Sequence, residues 1–200
     1  MNQIKPDWKA YFNIVSDKPH RQLLESAVLQ NTSGLKIAID CGCGVGADAA
    51  YLLNQGYAVI AFDKEEKAIE ICNYRFSDKP GFSASVSLME DFAFKRAGLM
   101  LASNSLFFCR PERFNDTMSK MLSSVAQNGI FVGDFVGPKD SWVYSPHHSV
   151  HQVTRETLDS MFSGFEVLEL NERDELAATA LGNMKHWHTF TIVAKKADNE

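Results

Sequence analysis

Apolar and β-branched residues occur along this chain in short runs that end at a glycine, an aspartate or a polar turn. Runs bounded in this way are typical of strands buried in a sheet. The predicted strands are residues 36–39, 58–62, 82–88, 98–102, 130–136, 165–170 and 186–194.

Helical patterns separate most of these runs. Residues 47–55 favour a helix that stops at Gly56, and residues 64–76 carry apolar residues at helical spacing. Pro111 is predicted to open the clearest helix, which ends before Asn128-Gly129. The apolar residues on its single face are Phe114, Met118, Met121, Leu122 and Val125. Thr154 is predicted to cap a short helix.

This alternation indicates βαβ crossovers and therefore the fold class α/β. We expect a Rossmann-like, doubly wound, mostly parallel seven-stranded sheet with helices on both faces. The last two strands are joined by a turn-rich segment, which predicts a C-terminal antiparallel hairpin. The chain shows no repeat or linker, so residues 1–200 are predicted to form one domain. Residues 1–30 would supply N-terminal lid helices, and the long structureless segment 137–153 a substrate loop.

Composition and charge narrow the possible partners. The chain is 45% hydrophobic with a formal net charge of −5, which excludes a disordered class and argues against a general nucleic-acid binder. The sequence shows no signal peptide and no apolar run near the ~20 residues that span a bilayer. We therefore expect a cytoplasmic protein without a membrane or nucleic-acid partner. The sequence gives no indication of oligomeric state.

The cysteines do not predict a metal or disulfide site. They are Cys41, Cys43, Cys72 and Cys109, and without a secretory leader a disulfide framework is not expected. The Cys41-x-Cys43 spacing is tighter than that of usual zinc pairs, and both residues lie in a glycine run. We expect small loop residues there and no metal.

The strongest functional motif is the glycine-rich segment 40–47, directly between the first strand and the first helix. Ligands of parallel sheets bind beyond the carboxyl ends of the strands, where glycines allow close approach to the backbone. Gly42-x-Gly44-x-x-Ala47 fits the nicotinamide dinucleotide fingerprint, and Asp63 follows Asp40 by 23 positions, about where an acid reaches ribose hydroxyls. However, Asp40 would repel a pyrophosphate, whereas it suits a cationic ligand such as S-adenosylmethionine.

With its glycine segment Ile39 to Gly46 and its second strand ending at Asp63, the chain resembles class I S-adenosylmethionine-dependent methyltransferases. Asn128-Gly129 before the fifth strand fits the same family. The last strand, from Lys185 to Lys196, is similar to that of small bacterial members grouped with the tellurite-resistance methyltransferases. The resemblance extends through most of the chain and implies S-adenosylmethionine as cofactor.

The resemblance also implies where the methionine part of the cofactor binds. Asp40 and Cys41, with the backbone of Gly42 and Gly44, would hold the methionine moiety. Asn104, after the fourth strand, would lie near the sulfonium and the substrate entrance, although a turn residue is the simpler explanation of this asparagine.

For the adenosine part, the resemblance implies a second set of residues. Asp63 would bind the ribose hydroxyls, Lys64 would line the adenosine, and Asp91 with Phe92 would hold the adenine. Each has a structural alternative: Asp63 and Glu66 also fit a helix-capping pair, and Asp91 also fits a solvated turn.

The sequence offers no nucleophile–base pair, so no catalytic residue is predicted; positioning alone supplies much of the rate of a methyl transfer. The fourth strand exit, residues 103–106, lacks the signature of amine-directed nucleic-acid methyltransferases, which favours a small-molecule substrate. His147, His148 and His151 are candidates for a base or metal ligands. Arg21 is a candidate for the cofactor carboxylate or a surface residue.

Two other function classes remain open at this point. The dinucleotide fingerprint is compatible with an NAD(P)-dependent oxidoreductase. The missing base is compatible with a non-catalytic protein that binds S-adenosylmethionine. Aromatic residues in the long loop, Trp142 and Tyr144, suit a pocket for a small substrate.

Overall fold

A computed structural model describes residues 8–15 and 18–198 and contains one seven-stranded sheet. The strands are β1 Ile37–Cys41, β2 Ala58–Asp63, β3 Phe82–Val86, β4 Ala97–Ala102, β5 Val125–Val136, β6 Phe165–Ala178 and β7 Met184–Lys196. Their spatial order is β3-β2-β1-β4-β5-β7-β6, with β1 to β5 parallel and β7 antiparallel to both its neighbours. The predicted fold class and the C-terminal hairpin are confirmed.

The helices of the described residues lie before the first strand or between strands. They are α1 Trp8–Val15, α2 Leu23–Gln30, α3 Ala47–Asn54, α4 Glu66–Arg75, α5 Phe114–Ser124 and α6 Arg155–Met161. Short 3-10 turns lie at Met89–Asp91, Leu106–Phe108 and Pro111–Arg113. Among the helices of the described residues, none has the length and apolar character that crossing a membrane requires.

Two apolar cores cover the two faces of the sheet. Phe131 packs in one cluster with Phe114 and Phe162, whereas its neighbours Ile130 and Val132 pack in the other. Successive side chains of a strand point to opposite faces, so this alternation shows that β5 is buried on both sides. The helices therefore flank both faces, as the sequence predicts.

The boundaries around β5 differ from the prediction. Helix α5 ends at Ser124, and β5 begins at Val125 with a register irregularity opposite Ala97 and Leu99. Asn128 has φ 59°, a left-handed conformation that a helix does not accept, so the helix ends before it. At the next helix, Thr154 caps α6 as predicted, since its Oγ1 accepts a hydrogen bond from the Thr157 N–H at 3.2 Å.

The C-terminal hairpin is longer than predicted. Its polar residues 171–175 interrupt the apolar pattern, yet they pair with β7 throughout. Strand β6 is the edge strand beside β7, so these side chains face solvent while the backbone completes the ladder. The extended hairpin consequently reaches past the carboxyl end of β5.

Candidate active site

A cleft of about 1360 Å³ lies at the carboxyl ends of the parallel strands. One part, called here the loop end, is bounded by the glycine segment 40–47, Asp63, Asn104 and Asp134. The other part, the hairpin end, is bounded by residues of the 137–153 segment and of the β6–β7 hairpin. The predicted ligand position beyond the glycine segment is thus a real concavity.

The glycine segment is shaped by backbone that only glycine adopts readily. Gly42 has φ +73°, and a Cβ there would lie 2.5 Å from the Cβ of Ser105. Gly44 has φ +52°, and a Cβ there would meet no atom of the described residues within 4 Å. The N–H groups of Gly42 and Cys43 donate to the Phe62 carbonyl at 2.8 and 3.0 Å. The segment is therefore fixed against β2 and leaves bare backbone at Gly44.

The Asp40 carboxyl of the loop end is buried and incompletely hydrogen-bonded. It is 3% exposed, and its Oδ2 has no hydrogen-bond partner within residues 8–15 and 18–198. Burial, followed by repulsion from Asp48, raises the pKa of the Asp40 carboxyl well above its usual value. A cationic group bound in the cleft would pair with this oxygen, and a pyrophosphate would oppose it.

Asp63 links the glycine segment to the start of α4 through hydrogen bonds. Its Oδ2 accepts a hydrogen bond from the Gly44 N–H, and its Oδ1 accepts one from the Glu65 N–H, both at 2.9 Å. The alternative capping pair of Asp63 and Glu66 does not form, because Glu65 is the N-cap residue of α4 and makes no side-chain cap. Lys64, next along the wall, has its Nζ 4.6 Å from the centroid of the Phe108 ring.

Three of the predicted cofactor residues do not line the cleft. Cys41 is buried with its Sγ 3.7 Å from the Sδ of Met100, and Phe92 stacks on Phe62 at 4.1 Å. Asp91 lies in the 3-10 turn with its Oδ2 3.9 Å from Nη2 of Arg110.

The wall near that turn is instead formed by Ser87, Leu88 and Met89. The chain enters the 3-10 turn at Met89, so the residues that reach the cleft come before Asp91. No pattern in the sequence of this short acidic turn predicts that the residues before Asp91 line the cleft in its place.

Asn104 and Asp134 form a network that the sequence did not indicate. Asp134 is buried in β5, and it accepts hydrogen bonds from the Asn104 N–H at 2.8 Å and the Thr191 hydroxyl at 2.5 Å. Arg21 forms an ion pair with the same carboxylate, and the Arg21 N–H donates to Asp48 at 3.0 Å. Arg21 is therefore half-buried rather than a surface residue, and its guanidinium is held by a carboxylate of the protein.

A usable signal for this network existed in the sequence. Asp134 interrupts the apolar run Ile130–Val136, and a carboxylate inside a buried strand requires a partner. The partner itself, Arg21, is 113 positions away and has no recognisable pattern.

At the hairpin end, a buried ion pair lies beside two tryptophans. Lys185 donates to Asp140 at 2.6 Å, and its Nζ lies 3.7 Å from the Trp142 ring centroid and 4.0 Å from that of Trp187. Asp140 also accepts from the N–H groups of Trp142 and His188 at 3.0 and 3.1 Å. Burial lowers the pKa of the Lys185 ammonium, although its bond to Asp140 acts in the opposite direction.

The three histidines of the 137–153 segment have different surroundings. His147 and His148 line the cleft, and His148 stacks on Trp142 at 4.8 Å. His151 stacks on Phe114 at 4.2 Å and does not line the cleft. Burial lowers the pKa of both His148 and His151. The three histidines therefore do not form one set of metal ligands.

One group of possible metal ligands lies on the hairpin instead. Oxygen or nitrogen atoms of Glu172, Asp174 and His188 lie within 4.8 Å of one another. Each already has a protein partner: His188 Nε2 bonds Glu172 at 2.9 Å, and Asp174 accepts from Lys139 at 2.5 Å. We therefore assign no metal to this group.

Comparison with known proteins identifies a similarity over part of the chain. Residues 38–129, slightly under half of the chain, match the family model described as a methyltransferase domain. No curated protein sequence matches the chain. The match covers the glycine segment, Asp63 and the first four strands. This part of the chain is therefore similar to a methyltransferase domain.

Solved structures agree with this assignment at the level of the fold. TehB from Haemophilus influenzae is similar with TM-score 0.71 and 18% identity over 91% of this chain and 65% of that chain, just under two thirds of its length. N-methyltransferase NodS from Bradyrhizobium japonicum WM9, in complex with S-adenosyl-L-homocysteine, has TM-score 0.67 and 13% identity over 92% of this chain and 91% of that chain.

A third similar structure contains a substrate as well. It is 1,6-didemethyltoxoflavin-N1-methyltransferase from Burkholderia thailandensis, with bound 1,6-didemethyltoxoflavin and S-adenosylhomocysteine. It has TM-score 0.68 and 14% identity over 96% of this chain and 84% of that chain.

Proposed function

We propose that this protein transfers a methyl group from S-adenosylmethionine to a small organic molecule held between the loop end and the hairpin end. The observation that carries this proposal is the buried Asp40 oxygen without a protein partner, beside the bare backbone of Gly44. An unpartnered buried carboxylate costs free energy, and a cationic ligand at that point compensates for the cost.

The donor is expected to contact the cleft from the glycine segment toward β3. Asp40, Gly42 and Gly44 would hold its methionine part, and Asp63 its ribose. Although both oxygens of Asp63 accept backbone hydrogen bonds, each has a further lone pair for a hydroxyl. Lys64 remains a predicted neighbour of the adenosine.

For the adenine, the proposal replaces two predicted residues. Leu88 and Met89 line the cleft next to Phe62 and offer an apolar surface to a purine ring, whereas Asp91 and Phe92 do not reach it. Asn104 stays a predicted neighbour of the sulfonium, since it lines the cleft between the two ends.

When bound, S-adenosylmethionine supplies a methyl group already activated by its sulfonium. The protein then has to align the acceptor and exclude water, and such positioning is worth about 7–11 kcal/mol. Trp142, Phe107 and Phe108 line the hairpin end and shield it from water. His147 lines the same end and is a candidate to accept a proton from the acceptor.

A small-molecule acceptor follows from the cleft and from the structures with the same fold. The Burkholderia enzyme binds didemethyltoxoflavin, and another structure of this fold is a magnesium protoporphyrin IX methyltransferase. A tellurite-type substrate is supported by the likeness to TehB alone, and cytoplasmic location stays a prediction from the sequence. The unpartnered Asp40 disfavours NAD(P), whose pyrophosphate is anionic.

Titration calorimetry with S-adenosylhomocysteine tests the proposal. We expect binding by the native protein and a loss of at least about tenfold in affinity for Asp40→Asn, because the amide cannot pair with a cation. Asp116→Asn is the matched control, since Asp116 lies on the surface of α5 and pairs with Lys120.

The outcomes separate the three function classes. Binding of NAD(P) in place of S-adenosylhomocysteine would contradict the proposal in favour of an oxidoreductase. Binding without methylated product from any acid, amine, thiol or oxyanion of a substrate panel would favour a non-catalytic protein.

A further inference from the structure

The loop end and the hairpin end of the cleft differ in their charged side chains. The loop end is lined by Asp40, Asp48, Asp63 and Asp134 together with Lys18, Arg21 and Lys64. At the hairpin end, the cations Arg173 and Lys185 line the cleft. Among the described residues, the carboxylate that lines the hairpin end is Glu172, which accepts a hydrogen bond from His188 Nε2 at 2.9 Å.

Aromatic rings hold the two cations in one row. The Arg173 guanidinium lies 4.8 Å from the Trp187 ring, and the Lys185 ammonium lies between Trp187 and Trp142 at 4.0 and 3.7 Å. His148 continues the row on Trp142. Contacts of cations with aromatic faces restrict long side chains that would otherwise be mobile. The Arg173 guanidinium is therefore restricted beside the cleft, whereas the Lys185 ammonium is already paired with Asp140 at 2.6 Å.

The Arg173 guanidinium keeps donors available for a ligand. Its Nε donates to Glu175 at 2.7 Å, and in the part of the chain that the structure describes this is its single side-chain hydrogen bond. The terminal N–H groups of a guanidinium match the two oxygens of a carboxylate.

Two further polar atoms of this end are incompletely satisfied. The indole Nε1 of Trp187 and the hydroxyl of Thr179 are buried, and neither has a partner within the described ranges. Both residues line the cleft. An oxygen-bearing ligand would offer the acceptor that this indole N–H lacks.

The same end has an apolar wall that a bare inorganic anion would not use. Phe107 and Phe108 have their ring centroids 6.1 and 6.3 Å from that of Trp142, and all three line the cleft. Rings of this kind form the apolar surface of small-molecule sites. The combination favours a ligand with an anionic group on an apolar body.

We propose that the methyl acceptor is a small organic carboxylic acid whose carboxylate binds at Arg173. Its apolar body lies against Phe107, Phe108 and Trp142. This assignment rests on the proposed methyl transfer, since it names the substrate class of the same cleft.

Titrations with benzoate, benzamide and benzylamine, each with and without S-adenosylhomocysteine, test the assignment. These probes share one ring and differ in charge. We expect benzoate to bind at least about tenfold more tightly than benzamide, because the ion pair with the guanidinium is lost in the amide. Equal affinity of the two, or tighter binding of benzylamine, would overturn the proposal. If selenite binds and benzoate does not, the claim that the acceptor is an organic acid is overturned.

A matched pair of variants locates the carboxylate. Arg173→Gln is expected to remove the preference for benzoate and to leave the affinity for S-adenosylhomocysteine unchanged. Arg155→Gln, on α6 and paired with Asp159, should change neither. An unchanged preference in Arg173→Gln would contradict the assignment. Failure of S-adenosylhomocysteine to bind contradicts the proposed function itself, whereas failure of benzoate alone contradicts only the acceptor class.

Discussion

Asp40 and Asp140 are two buried aspartates whose hydrogen bonding differs. Asp40, at the loop end, is 3% exposed and has one oxygen without a partner in the described chain. Asp140, behind the hairpin end, is fully buried and accepts three hydrogen bonds, from Lys185 and two backbone N–H groups. The first carboxylate costs stability until a ligand arrives, whereas the second holds the tryptophan loop to β7.

The difference distinguishes buried groups that hold the fold together from buried groups that bind a ligand. A buried charge that the protein satisfies is part of the fold, and its removal is expected to unfold the chain. A buried charge that the protein leaves unsatisfied is retained for a ligand, and its removal is expected to spare the fold.

The largest effect is expected from breaking the satisfied pair. Lys185→Met leaves the Asp140 carboxylate buried without its cation, which should lower the free energy of unfolding by about 3–5 kcal/mol. Urea denaturation measures this difference. Lys139→Met, which breaks the exposed pair with Asp174, should cost about 1 kcal/mol or less and serves as the control. Equal losses in the two variants would show that the Lys185 pair is not structural.

A smaller effect on stability, but a selective one on binding, is expected at Gly44. Gly44→Ala imposes a left-handed residue with a Cβ, at a cost of about 1–2 kcal/mol, and places a methyl group where the donor is proposed to lie. Gly182→Ala, in the hairpin turn, imposes the same strain at φ +84° with no described atom within 4 Å. Both should lose similar stability in thermal unfolding, and only Gly44→Ala should lose affinity for S-adenosylhomocysteine. Equal affinity in the two variants would remove Gly44 from the site.

The smallest effect is expected in the number of protons that the protein releases when the ligand binds. Because burial raises the pKa of the Asp40 carboxyl in the folded protein, a cationic ligand should lower that pKa, so that any proton held by this carboxyl is released on binding. Calorimetry in buffers of different ionisation enthalpy measures the release, and Asp40→Asn should abolish it.

The raised pKa of Asp40 also predicts how the free energy of unfolding changes with pH. A raised folded-state pKa favours folding at low pH, and this contribution is lost as pH rises from the usual value of 3.8 through the raised value. The unfolding free energy of the native protein should therefore fall relative to Asp40→Asn as pH rises. An opposite trend would mean that Asp40 is satisfied in the free protein.

The fold was largely predictable because its signals are local. Strand–helix alternation, Gly56 and Thr154 each act within a few residues, and they gave the parallel sheet and two of the helix boundaries. The start of β5 at Val125 was not predictable in this way, because Val125 continues the apolar spacing of the preceding helix. The polar residues of β6 form a strand only because β7 pairs with them.

The candidate site was predictable to the extent that it is contiguous. Asp40, Gly42, Gly44 and Asp63 follow two successive strands, and parallel pairing brings their ends together. At the 3-10 turn Met89–Asp91, the cleft wall is formed by residues that come before Asp91. The sequence did not predict this position, because a short acidic turn has no periodic pattern of apolar residues.

The sequence by itself determined the sheet, the glycine segment and the loop-end residues Asp40 and Asp63, because each depends on neighbours along the chain. Only the tertiary structure decided the charge pairing. Lys185 meets Asp140 across 45 positions, and Arg21 meets Asp134 across 113. Such contacts depend on how distant segments pack, so the hairpin end acquires its row of cations and rings only in the folded protein.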